Sequence, residues 1–345
     1  MAGIADVARA AGVSKATASR ALTGTGYVSH KTRDRVLDAA ASLGYVPSTA
    51  AVSLATGKSK NIGVIMPYVS RWFFAEVLEG IQDGLLRHGY DLTLYDARPG
   101  TEGRTRVFDE FLARKRFDGL IAVGLEPSDH ELERLVAMGR PLVSVVGEDG
   151  TTNVVAIDDL HAARRATEHL LDLQHTSIAF LGGGGEHGAY VDGMRLRGYA
   201  STMADAGLPV CHVPSPVTIP GGYAAAVDIL GDARRRPTAI VGSCDEVAIG
   251  AIIAARRLGL PVPSVLSVVG IDNHEYAEMF SLTTLEQSPR QQGSQAVDML
   301  LNLLVNPEQP PVELRLQATL IVRNSTAPPS GMPSVAVGGT RPMPG

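Results

Sequence analysis

Residues 3–47 read GIADVARAAGVSKATASRALTGTGYVSHKTRDRVLDAAASLGYVP. Their apolar positions fall at helical spacing, and small punctuating residues cut the stretch into three short helices. The first is expected from about Ile4 to Ala11, with Ile4, Val7, Ala8 and Ala11 on one face. Gly12 can take the left-handed conformation that closes a helix, and Ser14 can cap the next one by accepting from a free backbone N–H. The second, about Lys15 to Leu22, turns Ala18 and Leu22 inward and leaves Lys15, Thr17, Ser19 and Arg20 able to point outward. Thr23-Gly24-Thr25-Gly26 makes a turn, Ser29 caps a third helix bearing Val36, Leu37, Ala40 and Leu43, and Gly44 ends it. Two short helices joined by a three-residue glycine turn form a helix-turn-helix, whose second helix can carry small polar residues and an arginine to base edges. An ordinary three-helix mini-bundle has the same spacing, so a second signal is needed.

Charge supplies it. Residues 1–60 hold eight Lys/Arg against three Asp, a net of +5 in a chain of net −5, so the remainder carries −10. A small basic head on an acidic body is the footprint of a nucleic-acid-binding module joined to something else. The other totals are those of a globular protein: 345 residues leave room for two or three domains, with 45% hydrophobic and 19% charged residues. Cys211 and Cys244 lie far apart without metal-type spacing, which argues against a disulfide scaffold or a zinc site and fits a reducing compartment. No apolar run reaches the roughly 18 residues of a membrane span. Asp6, Arg9, Lys15 and Arg20 interrupt any signal-peptide core, so a cytoplasmic protein with no membrane partner is expected.

Residues 46–60, VPSTAAVSLATGKSK, read as a linker with a conditional helix. Pro47 can start it, Ala50, Ala51 and Leu54 share a face, and Gly57 stops it. About ten residues are too few for a stable helix in water, so it needs packing partners or DNA to fold. From Asn61 the pattern changes to strand–helix units. Short apolar runs at 62–66, 91–95, 119–123, 142–146, 154–157, 177–181, 238–242 and 267–271 alternate with amphipathic stretches such as 74–88, 104–114, 159–173, 194–206, 222–234 and 246–258. The class is α/β: parallel sheets with helices on both faces, better divided into two sheets than left as one. From Ala327 the tail is rich in Pro, Gly and Ser without periodicity and is expected to be disordered.

The head closely resembles the DNA-binding head of the lactose-repressor (LacI/GalR) family. The pattern appears as Asp6-Val7-Ala8, Ala11-Gly12-Val13-Ser14, Thr17-Ala18-Ser19-Arg20 and Gly44-Tyr45-Val46-Pro47, with Ala18 where the family usually has valine. Ile62-Gly63-Val64, Phe73-Phe74-Ala75-Glu76, Asp118-Gly119-Leu120-Ile121, Val262-Pro263 and Leu282-Thr283-Thr284 follow in family order, so the likeness covers residues 2–326. It implies a head (1–46), a hinge helix and linker (47–60), and a core like periplasmic sugar-binding proteins (61–326), followed by the tail (327–345). The core's lobe 1 would comprise about 61–159 and 288–318, and its lobe 2 about 160–287 and 319–326, each a doubly wound parallel sheet.

The resemblance implies a transcriptional repressor that binds a pseudo-palindromic operator as a homodimer under the control of a small molecule. Lys15, Ala16, Thr17 and Arg20 would meet bases, and Ser19, Ser29, Thr32 and Tyr45 phosphates. Lys31 and Arg33 read equally as phosphate contacts or as a solvated face. Leu54, with Ala51 on the same face, stands where the family carries a leucine wedge for the minor groove; packing on the core is the alternative. Val52 and Ser48 replace a frequent arginine and asparagine there.

For the effector, the resemblance points to Arg195 in Arg195-Leu196-Arg197-Gly198-Tyr199, Asp272 after the run SVVGI, Asp245, Gly124, and an aromatic wall of Trp72, Phe73 and Phe74. An arginine fork opposite a carboxylate suits a sugar-like ligand; a surface ion pair is the plainer reading of either residue alone. Arg71-Trp72 departs from the family's Asn-Pro, Cys244 replaces an asparagine before Asp245, and Val217 replaces an aromatic that some relatives stack on a base, which speaks against a purine. Gly183–Gly188 matches G-x-G-x-x-G after a strand but fits the family's cleft loop better than a nucleotide fingerprint. No metal or cofactor motif and no Ser/His/Asp order is evident, so no cofactor and no enzyme are expected.

Overall fold

The computed structural model describes residues 2–24, 26–46, 56–147, 152–183 and 189–330. The expected hinge helix, with Ala51 and Leu54, lies outside the described residues, as do residues 184–188 of the glycine-rich loop and the tail from 331.

Three helices make the head: α1 (Ile4–Ala10), α2 (Lys15–Thr23) and α3 (His30–Ser42). Local chemistry sets their ends. Gly12 sits at φ 62° and Gly44 at φ 60°, and the Ser14 and Ser29 hydroxyls accept from the Thr17 and Thr32 N–H groups at 3.1 and 3.3 Å. Val7, Ala8, Ala11, Ala18, Ala21, Val36, Ala39 and Ala40 close a small core between them, with Ile4, Val13, Leu22, Val28 and Tyr45 against its edge. Ala18, at the position of the family's valine, is fully buried at the α2 centre.

Lobe 1 is built on a six-stranded sheet in the order β11-β5-β4-β3-β1-β2, from β1 (Asn61–Met66), β2 (Asp91–Asp96), β3 (Gly119–Val123), β4 (Leu142–Val145), β5 (Asn153–Ile157) and β11 (Glu313–Leu316). All five pairings are parallel. Helices α4 (Trp72–Arg87) and α11 (Pro289–Val305) cover one face, while α5 (Glu102–Arg106) and α6 (Asp129–Met138) lie by the other. Lobe 2 holds β12-β10-β9-β8-β6-β7, from β6 (Ile178–Leu181), β7 (Cys211–Val213), β8 (Ala239–Gly242), β9 (Ser267–Asp272), β10 (Thr283–Glu286) and β12 (Thr319–Ile321); only β12 runs antiparallel. Its helices are α7 (Asp159–Asp172) and α8 (Ala189–Asp205) on one face, and α9 (Ile219–Gly231) and α10 (Asp245–Arg257) on the other. Central strands such as β1, β3 and β9 are buried on both faces, which is why they read as unbroken apolar runs rather than alternating ones.

The chain passes between the sheets three times, after β5, after β10 and between β11 and β12. Asp118, just before β3, ties down the segment that follows the hinge region: its carboxylate accepts from the Ser59 and Lys60 N–H groups at 2.7 and 2.9 Å and from the Ser59 hydroxyl at 2.9 Å.

Two expectations need revision. Four strands, β7, β10, β11 and β12, were not visible as apolar runs: each has three or four residues, three of them lie at sheet edges, and the interior one is threonine-rich. The stretch 104–114 is no regular helix. After α5 it widens into a π turn (Val107–Phe111) and ends in a 3-10 turn (Leu112–Arg114), bringing Val107, Phe108 and Leu112 into one core.

A cleft between the lobes and an exposed reading helix

Parallel sheets gather their functional loops beyond the carboxyl ends of the strands. Here the two sheets present those ends to each other across a cleft of about 1310 Å³. From lobe 1 come Trp72, Phe73 and Phe74 at the start of α4 and Gly124 after β3; from lobe 2 come Arg195 on α8 and Asp272 at the end of β9. The structure therefore brings six of the seven expected effector residues to one cavity. Gly124 has a local reason to be glycine: it sits at φ 53°, and a Cβ there would stand 2.8 Å from the Phe74 ring. Phe73 and Phe74 meet edge to face at 5.6 Å, and Tyr68 meets Phe74 at 5.8 Å, so the apolar wall is a packed set of rings.

Asp245 is the exception and corrects the expectation. It opens α10, has no exposed surface and does not line the cleft. Its carboxylate accepts from the His274 N–H at 2.8 Å and the Thr284 hydroxyl at 2.6 Å, so it braces the floor from behind. Burial pushes its carboxyl up to about 6, against the lowering effect of those two hydrogen bonds.

Arg195 is 5% exposed and fully engaged. Its Nε donates to Asp159 Oδ1 at 2.8 Å, Nη2 lies 2.8 Å from the same oxygen, and Nη1 donates to the Ser243 carbonyl at 2.6 Å. Burial raises the Asp159 carboxyl, and Arg195 opposes that rise. Asp272 accepts from the Gln287 amide and from the Asp245 N–H. Burial first, and the nearby Asp245 charge second, hold the Asp272 carboxyl well above the usual carboxylate range. The backbone is strained at this point, with Asp272 at φ 150° and Asn273 at φ 55°, the kind of outlier that concentrates at working sites. Cys244, at the cleft edge, is held as a neutral thiol chiefly by burial.

Several cleft residues had not been expected. Asp159 and Asp192 line the floor beside Arg195; Asp192 lies three residues before it on one helix, a spacing that could have been read. Two interlobe contacts had no sequence signal. His274 packs against Trp72 with centroids 4.7 Å apart and the rings tilted by 34°, and Glu126, after β3, accepts from the Tyr190 N–H at 2.9 Å.

In the head, Lys15, Ala16 and Arg20 are exposed along the start and outer face of α2, while Thr17 and Ser19 are half-buried beside them. Arg20 Nε rests on the Ala16 carbonyl at 3.2 Å. Ser29 and Thr32 share a hydrogen bond at the start of α3, and Tyr45 packs on the head core. Among the described residues, no group of three or more His, Cys, Asp or Glu is placed to hold a metal, and no helix is long and apolar enough to cross a membrane.

Comparison with known proteins agrees with this architecture. Residues 3–48 match the family of bacterial regulatory proteins, lacI family, and residues 167–326 match the periplasmic binding protein-like domain. The HTH-type transcriptional repressor PurR of Vibrio campbellii is 33% identical over 336 residues, covering 94% of this chain and 98% of that protein. The chain belongs to the LacI family. Among solved structures, the lac repressor dimer bound to operator and the anti-inducer ONPF superposes with a TM-score of 0.83 at 27% identity, covering 94% of this chain and 99% of that one. A CelR–cellobiose complex matches with a TM-score of 0.69 at 26% identity, covering 94% and 100%. This LacI-family chain is thus a DNA-binding transcriptional repressor with a ligand-binding domain, and its relatives are transcription regulators rather than enzymes.

Proposed function

We propose that this chain represses transcription as a cytoplasmic homodimer on a pseudo-palindromic operator, and that a sugar-like effector in the interlobe cleft sets its operator affinity. In this reading residues 1–46 are the DNA-binding head, 47–60 the hinge and 61–326 the sensing core. Lys15, Ala16, Thr17 and Arg20 read bases, Ser19, Ser29, Thr32 and Tyr45 hold phosphates, and Leu54 wedges the minor groove beside Ala51.

The observation that carries the sugar reading is the cleft's two-sided chemistry: an aromatic wall of Trp72, Phe73 and Phe74 faces a floor of Arg195 and Asp272. A sugar ring offers an apolar face for the first and hydroxyls for the second. The CelR–cellobiose neighbour supports it. The name of the PurR relatives favours a purine as the second reading. Against that, Val217 lines the cleft at the position where, by the family resemblance, some relatives stack an aromatic on a base.

Trp72 is the chain's sole tryptophan, so its emission reports this cleft alone. Titrating the full chain with neutral mono- and disaccharides and with hypoxanthine and guanine gives a saturable change for a sugar. A response to the purines and to no sugar would overturn the reading.

A further inference from the structure

Arg71 and the start of α4 line the cleft, and their charges are not balanced. The family's Asn-Pro at positions 71–72 would close such a helix by itself, because asparagine caps well and proline has no N–H to leave over. Arg71-Trp72 does neither. Arg71 is the N-cap residue and gives no side-chain cap; the first N–H to find a helical acceptor is that of Ala75, on the Arg71 carbonyl at 3.0 Å. The Trp72, Phe73 and Phe74 N–H groups have no acceptor among the described residues. A cationic residue thus begins a helix of 16 residues, at the end whose dipole favours an anion.

The other two arginines among the described cleft residues are matched. Arg195 is locked on Asp159, and Arg104 sits bidentate on Glu131 with contacts of 2.6 and 2.7 Å. Arg71 instead lies 3.7 Å over the Tyr68 ring and makes no ion pair among the described residues. Glu246, across the cleft on α10, is the carboxylate that feels it: burial raises the Glu246 carboxyl, and Arg71 opposes that rise without touching it. At the starts of α8 and α10 the protein supplies carboxylates of its own, since Glu126 accepts from the Tyr190 N–H and Asp272 from the Asp245 N–H.

Resting on the sugar reading above, we infer that the effector is an anionic sugar, whose phosphate or carboxylate group is held by Arg71 at the start of α4 while its hydroxyls face the floor. The two ends lie within one ligand's reach, because His274, two residues beyond Asp272, packs against Trp72. The planar fork of Arg71 pairs with two oxygens of such a group, and the helix start adds N–H donors and a positive potential.

Isothermal titration of the full chain tests this with matched series: glucose, galactose and mannose, their 1- and 6-phosphates and their 6-carboxylic acids, with hypoxanthine and guanine alongside. In the series that binds, an anionic form is expected at least about tenfold tighter than its neutral parent, and the form that leads tells phosphate from carboxylate. In Arg71→Asn, which restores the family's cap, and in Arg71→Gln, which keeps a long side chain without the charge, the ratio of anionic to neutral affinity falls to within about twofold of unity. Arg71→Asn melts at or above the wild-type temperature, so that loss is not unfolding. A neutral sugar that binds as tightly as its anionic forms, or a preference that survives both substitutions, overturns the inference and leaves the sugar reading standing. Binding by the purines alone, or by no member of the panel, overturns both.

Discussion

Replacing Arg195 by alanine is expected to abolish effector binding and to lower stability by about 3–5 kcal/mol, the usual consequence of leaving one member of a buried ion pair without its partner. The two effects have one origin. The guanidinium holds Asp159 at 2.8 Å and the Ser243 carbonyl at 2.6 Å, in a place where neither acceptor can turn to water. Once it is gone, Asp159 must protonate or open the floor of the cleft. Its raised carboxyl already marks the tendency to protonate. The double variant Arg195→Ala with Asp159→Asn separates the two effects: with no orphaned charge it recovers much of the stability, measured by urea titration, yet still binds no effector. A single variant as stable as the wild type would show that the pair is not a supporting element of the floor. Recovery of effector binding in the double variant would show that Arg195 does not touch the ligand.

Gly250→Ala is expected to destabilise lobe 2 by on the order of 3 kcal/mol, against the small gain that alanine normally brings to a helix. Helices α9 and α10 cross with their backbones in contact. A Cβ at Gly250 would stand 2.4 Å from the Ile219 carbonyl oxygen and 2.5 Å from the Tyr223 nitrogen, and one at Gly222 would stand 2.3 Å from the Val247 oxygen. Those are main-chain atoms, so no rotamer relieves the clash and the helices must separate. Separation would tear the core of Ala226, Leu230, Val247, Ala251 and Ile252 and shift Cys244 and Asp245 at the head of α10. Gly231 is the control: nothing lies within 4 Å of its would-be Cβ, so Gly231→Ala leaves the melting temperature unchanged or slightly higher. Equal effects at 231 and 250 would mean that the tight crossing is not what sets the requirement for glycine.

The head was legible almost residue by residue because its information is local. Gly12, Ser14, Ser29 and Gly44 act on backbone within four positions, and the charge bias of residues 1–60 needs no fold to be counted. The two-sheet architecture was legible for a similar reason, since buried parallel strands announce themselves as apolar runs. The cleft was only half legible. Arg195 and Asp272 stood out through their motifs, but Asp245, drawn in by the same reasoning, lies behind the floor. Sequence adjacency to Cys244 does not tell which way a side chain leaves a helix start. The contacts that hold the lobes together across the opening, Trp72 with His274 and Glu126 with Tyr190, join residues far apart in the chain and in different lobes. Neither pair has a local pattern, because both depend on how the three crossings fold the lobes together.

Occupation of the cleft is expected to change the grip of the head on DNA. The dissociation constant for an operator, selected from random duplexes by the protein itself, is measured with and without a saturating amount of the sugar that perturbs Trp72. Coupling between two sites is typically 5- to 150-fold and reciprocal, so operator DNA must shift the sugar's affinity by the same factor. A shift of at least about fivefold is expected for the wild type and none for Arg195→Ala. An operator affinity that stays the same while the sugar demonstrably fills the cleft would contradict it.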